Sequence, residues 1–143
     1  MANIVPDSFK TDLLGGVFDF DSSGGSSFKL ALYTSQAGFS TSTTAYTTSN
    51  EVPSAGTNYT AGGNALTNNG VAIASNIAYV DFADLTFTSV TLSATGALIY
   101  KASSNEAVLV LDFGGTKTAT NGDFVIQFPT ADSTSAIIRL GDA

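Results

Sequence analysis

The feature that most restricts the fold of this chain is the period of its apolar residues. From Phe28 onward they recur at alternate positions rather than at every third or fourth. Phe28, Leu30 and Leu32 alternate with Lys29, Ala31 and Tyr33; Phe124, Ile126 and Phe128 alternate with Val125 and Gln127. Neighbouring side chains on a strand point to opposite faces, so this spacing makes half-buried strands and cannot make an amphipathic helix. Val17 to Phe20 reads as a short strand and Ile77 to Phe82 as another. Leu85 and Phe87 have the opposite parity to Val90, Leu92 and Ala94, and a bulge or tight turn near Thr88-Ser89 reconciles the two sets. Ala97 to Tyr100 and Ala107 to Phe113 are unbroken apolar runs, the mark of central strands covered on both faces.

Turn chemistry divides these runs. Asp21 to Gly25, Ser103 to Glu106 and the polar loop Gly114 to Gly122 separate strands by composition. Asn69-Gly70 is a strong hairpin signal, since a type I′ turn needs positive φ at both central residues; it would join Ala65 to Thr67 with Val71 to Ala74. Pro129 ends one strand and Ala136 to Leu140 forms the last. The exception to the strand period comes first. Pro6 suits a helical first turn, Asp7 or Ser8 can cap it, Phe9 and Leu13 share a face, and Gly15-Gly16 stops it, which predicts a helix over Asp7 to Leu14. Together these readings give one all-β domain over residues 1–143, an antiparallel sandwich or jelly-roll-like barrel of about eight to ten short strands. A helical segment, residues 1–16, precedes the strands.

One stretch fits neither period. Thr34 to Asn64 is rich in Ser, Thr, Gly and Asn, with aromatics at Phe39, Tyr46 and Tyr59. Polar stretches this long are uncommon in compact domains and are mostly functional or disordered. The aromatics predict an ordered excursion, placed to contact a partner.

Composition narrows the function classes. With 43% hydrophobic and 12% charged residues the chain folds rather than staying disordered. A net charge of −7, with five basic residues scattered along the chain, argues against nucleic acid and anionic membrane surfaces. No apolar run approaches the ~20 residues of a bilayer-spanning helix, and the first residues lack the pattern of a signal peptide, so synthesis in a cytoplasm is expected. There is no Cys and no His, which removes thiolate metal sites and the commonest general base.

The carboxylates offer two sharper readings. Asp19 and Asp21 precede a Gly-rich turn as in a calcium loop, but the expected glutamate position is Leu30, and an Asp21 turn cap is the plainer reading. Asp81 and Asp84 could be a glycosidase pair, against the plainer reading of a solvated turn. Gly62-Gly63 and Gly114-Gly115 lack a phosphate-loop context, and Asn58-Tyr59-Thr60 matches a glycosylation acceptor only formally. No enzyme activity, cofactor or metal site is expected.

The order of several motifs resembles a family of small bacteriophage virion structural proteins. They are Phe9 to Gly16, Phe18-Asp19-Phe20-Asp21, Phe28 to Ser35, Asn50-Glu51-Val52, Tyr59 to Gly63, Gly96 to Tyr100, Asp112 to Gly115 and Asn121 to Phe124. The resemblance implies a virion component, of the head decoration or cement type, on the outer capsid surface. Its partners would be the major capsid protein and further copies of itself, as a homotrimer. Residues placed to make such contacts are Ile4, Val5 and Phe9 in a clamping N-terminal segment, with Phe39, Tyr46 and Tyr59 in the excursion. The N-terminal segment has an equal alternative, packing on its own sheet. The remaining alternatives are a tail, baseplate or fibre-attachment protein, a carbohydrate-binding domain using Tyr33, Tyr46, Tyr59, Tyr79 and Tyr100 as stacking platforms, and a hydrolase using Asp81, Asp84 or Asp112.

Overall fold

The computed structural model describes residues 2–141. A single helix, α1 (Asp7–Leu14), precedes the strands. Pro6, extended at ψ 145°, takes the N-cap position, and no side chain caps the helix. Ser8 instead donates its hydroxyl to the Thr43 carbonyl at 3.2 Å. The C-terminal end follows the predicted glycine stop. Gly15 and Val17 return their amides to Thr11 and Asp12, while Gly16 adopts φ 79°.

Seven strands follow among the described residues: β1 (Phe28–Tyr33), β2 (Asn64–Ala65), β3 (Asn68–Ala74), β4 (Ile77–Phe82), β5 (Leu85–Lys101), β6 (Ala107–Ile126) and β7 (Ile138–Leu140). They form two antiparallel sheets, ordered β2-β1-β5-β6 and β3-β4-β7. The protein is an all-β sandwich and not a closed barrel. The strands are fewer and longer than the sequence suggests, because the polar stretch Gly114 to Gly122 is part of β6. Ser93 pairs with Thr118 and Ala94 with Lys117. Ser and Thr tolerate a solvated strand face, and the extra length is absorbed in register shifts on either side of Val90 and after Ala94. The bulge expected at Thr88-Ser89 is there, with Ser89 at φ 53°.

Two local expectations are corrected. Val17 to Phe20 is not a strand; its alternation serves ring packing instead. Phe18 and Phe20 are buried, Phe9 lies 5.1 Å from Phe18, and Phe20 stacks on Phe28 at 4.8 Å. Asn69-Gly70 does not turn the chain. Asn68 accepts the Gly70 amide at 2.9 Å and donates to the Phe20 carbonyl at 2.8 Å, so the positive φ of Gly70 is used in a bulge inside β3. The hairpin turn is Ser75-Asn76, with φ 52° and 64°, the type I′ signature carried by residues other than glycine.

The first sheet is buried on both sides, as the unbroken apolar runs predict. Leu30, Leu32, Ala97, Ile99, Leu109 and Leu111 face the main core, shared with the second sheet through Val80 and Phe82 and with α1 through Phe9. Ala31, Tyr33, Leu98, Tyr100, Ala107 and Val110 face a second, smaller core. What covers that second face is the polar excursion. Phe39 meets Tyr33 edge-on at 4.8 Å and Tyr46 stacks on Tyr100 at 4.7 Å. Backbone bonds join Ala107 to Thr44, Tyr46 to Asn105, Thr34 to Asn50 and Val52 to Leu32. Thr34 to Asn64 is therefore ordered, as expected, but it is a wall of the fold and not a projecting arm. Its last turn lies so close to β1 that a Cβ at Gly63, at φ 73°, would overlap the Leu30 carbonyl oxygen.

Candidate functional site

A glutamate fastens the excursion. Glu51, which pairs with Tyr33 in an isolated bridge, places one carboxylate oxygen 2.6 Å from the Tyr46 hydroxyl. The other accepts the Tyr59 hydroxyl at 2.7 Å and the Gly62 amide at 2.6 Å. Tyr59 in turn accepts the Leu32 amide at 3.0 Å, Tyr100 donates to the Gly62 carbonyl at 2.6 Å, and Tyr33 donates to the Thr47 carbonyl at 2.6 Å. Each of these tyrosine hydroxyls has a protein acceptor. Burial first, with the Glu51 charge adding to it, pushes the hydroxyls of Tyr33, Tyr46, Tyr59 and Tyr100 above their ordinary range. An arrangement this fully bonded secures a loop rather than taking a ligand.

That network decides where most residues predicted to contact a partner lie. Tyr59 is buried at 3% exposure and Phe39 at 7%, both packed inside the chain, and Tyr46 is half-buried against Tyr100. Phe9 is 4% exposed in the main core, and Ile4 is half-buried, exchanging backbone bonds of 2.9 Å with Val110. The N-terminal segment thus packs on its own sheet. Phe9, Phe39 and Tyr59 are not surface residues in this fold, and of the six predicted contacts only Val5, 42% exposed, faces outward. The same burial takes three of the five tyrosine platforms inside, Tyr33, Tyr59 and Tyr100, and leaves Tyr46 and Tyr79 half-buried.

The carboxylate readings resolve differently. Asp19, not Asp21, caps its turn, accepting the Asp21 amide at 2.9 Å. Asp81 and Asp84 do not form an open pair. Asp84 is exposed and accepts the Phe128 amide at 2.8 Å, while Asp81 is only 1% exposed, contrary to a solvated turn. Asp81 accepts the Phe82 amide at 2.8 Å through one oxygen, and among the described residues its other oxygen has no partner at hydrogen-bond distance. Burial raises its pKa, partly offset by the Phe82 and Ile137 amides. Among the described residues no three His, Cys, Asp or Glu side chains are grouped to hold a metal ion.

Elsewhere the surface offers an apolar site. A groove of about 470 Å³ runs between α1 and β7, lined by Val5, Leu13 and Leu14 on one side and Ile138 and Leu140 on the other, over a floor of Val108 and Leu109. Leu14 is 84% exposed and Leu140 60%, so the rim is open to water; Lys10 and Arg139 flank it. Of these residues only Val5 was expected to meet a partner. Leu14 and Leu140 sit at the ends of an eight-residue helix and a three-residue strand, where periodicity has too few positions to say which side faces out.

No family model matches the chain, and no curated relative or solved structure matches it.

Proposed function

We infer that this chain is a structural component of a bacteriophage virion, most specifically a capsid decoration protein that docks on the outer surface of the major capsid protein and cements it. The observation that carries a docking role is the open apolar rim of Val5, Leu14 and Leu140 around the α1–β7 groove, on a surface otherwise made largely of Ser, Thr and Gly. Exposed apolar side chains gathered at one place mark interaction sites, whereas scattered ones do not. The motif order given above supplies the virion context. The sandwich suits it physically: rigid, doubly covered strands carry the groove, and weak docking repeated over a symmetric shell sums to firm attachment.

A density map of the assembled particle tests this reading. A decoration protein is seen in many copies over the outer shell with the α1–β7 groove against the capsid. A few copies at one vertex would replace it with a tail, baseplate or fibre-attachment role, and absence from the particle would overturn both. Leu14→Asp with Leu140→Asp should abolish docking on shells while leaving circular dichroism unchanged.

A further inference from the structure

From Val52 to Val80 the chain has no Asp, Glu, Lys or Arg, although the whole carries a net charge of −7. In that neutral stretch lies β3, an outer strand of the second sheet that, among the described residues, pairs only with β4. Natural proteins usually blunt such an edge with charge, proline or a covering segment. Along the first part of β3 there is a cover: Asn68 bonds to Phe20, and Ser22 packs beside Gly70. Along Val71-Ala72-Ile73-Ala74 none of these devices is found among the described residues. All four residues are exposed, Val71 at 59% and Ile73 at 73%.

The register fixes what this edge presents. Ser75-Asn76 is a two-residue turn, so the flanking pair Ala74 and Ile77 exchanges both ladder bonds, and Ala72 and Tyr79 do so two residues further on. Val71 and Ile73 alternate with them and so direct their N–H and C=O groups away from β4, toward solvent. Their side chains share one face of the sheet, on either side of Ala72. A two-fold axis through Ala72 therefore sets Val71 of one copy opposite Ile73 of the other. Each such pair can exchange both backbone bonds, and one β-branched side chain meets another across the strands.

We propose that the Val71–Ala74 edge of β3 pairs with the same edge of a second copy of this chain, making one continuous antiparallel sheet in the order β7-β4-β3-β3-β4-β7. Charge favours a copy over another partner. The β3–β4 ribbon from Asn68 to Val80 is uncharged, so two acidic chains meet here without opposing carboxylates, whereas a charged strand would find no counter-charge. Shape favours it too, because Val-Ala-Ile is close to symmetric about Ala72. The homotrimer implied by the family resemblance needs two different patches meeting head to tail; this edge is one patch that meets itself.

Disulfide trapping tests the pairing. Ala72 opposite Ala72 is a non-hydrogen-bonded pair, about 4.5 Å between Cα atoms, within disulfide reach, and the chain has no other cysteine. Oxidised Ala72→Cys should run as a covalent dimer, while Thr116→Cys, exposed on β6, should stay monomeric. In sedimentation velocity the unaltered chain should be a dimer, and Ile73→Lys a monomer with unchanged circular dichroism. A monomeric or trimeric unaltered chain, or equal cross-linking at positions 72 and 116, overturns the proposal. The solution experiment needs no capsid, so its outcome is independent of the docking role.

Discussion

Replacing Glu51 with alanine should loosen the whole excursion. The carboxylate accepts three bonds, from the Tyr46 and Tyr59 hydroxyls and the Gly62 amide. Hydrogen bonds to a charged group contribute roughly 1.5–3 kcal/mol each. Tyr59 is buried and its hydroxyl would lose its acceptor outright, whereas half-buried Tyr46 can turn to water. Allowing for that recovery, Glu51→Ala should cost about 3–5 kcal/mol, a large share of the ~5–15 kcal/mol typical of a domain. Urea denaturation reads this as a lower midpoint at unchanged slope. Tyr59→Phe removes one of these bonds and also takes the acceptor from the Leu32 amide, so it should cost about 2–4 kcal/mol. The double variant should lose less than the sum, because the two residues share that bond. A loss below about 1 kcal/mol for Glu51→Ala would mean that the carboxylate does not hold the excursion, and the reasoning would fail.

Two pH effects follow from the same burial. Tyr33, Tyr59 and Tyr100 have folded pKa values raised above the unfolded value, so their contribution is complete below that value and is lost as pH climbs past about 10. Each adds a slope of about 1.4 kcal/mol per pH unit, so the fold should collapse cooperatively in alkali, with tyrosinate absorbance appearing together with loss of far-ultraviolet circular dichroism; titration of all five tyrosines in an intact fold would contradict this. The Asp81 pKa is also raised, so its stabilising contribution is present in acid and lost as pH rises through the folded value. Asp81→Asn should therefore gain about 1–2 kcal/mol at neutral pH, with the gain shrinking in acid, read from thermal melts at both pH values.

The strands were legible wherever a polar residue separated apolar ones. Phe28–Tyr33, Ile77–Phe82 and the parity change at Ser89 all follow from period two. Gly114 to Gly122 misled because a solvated Thr-rich strand and a polar loop have the same composition; only pairing with β5 distinguishes them. Asn69-Gly70 misled because a bulge and a type I′ turn both draw on positive φ, and the deciding contact, Asn68 to Phe20, joins segments far apart in sequence. At the functional site the aromatics of the excursion announced that it would be ordered, but not which way they would face. Tyr46 and Tyr59 turn inward because Glu51, a residue with no local pattern, receives both. Leu14 and Leu140 were invisible for a different reason: the groove exists only when the N-terminal helix and the last strand meet.

Because the excursion is a bonded wall, docking falls to the groove and pairing to the β3 edge. Native-state hydrogen exchange at the amides of Leu32, Val52 and Gly62 measures this most directly, since they bond to Tyr59, Leu32 and Glu51. Protection at these amides comparable to that of Leu98 and Ile99 on β5, an inner strand of the first sheet, is the predicted result. Exchange of Val52 and Gly62 at the rate of an open loop, with Leu98 still protected, would contradict it.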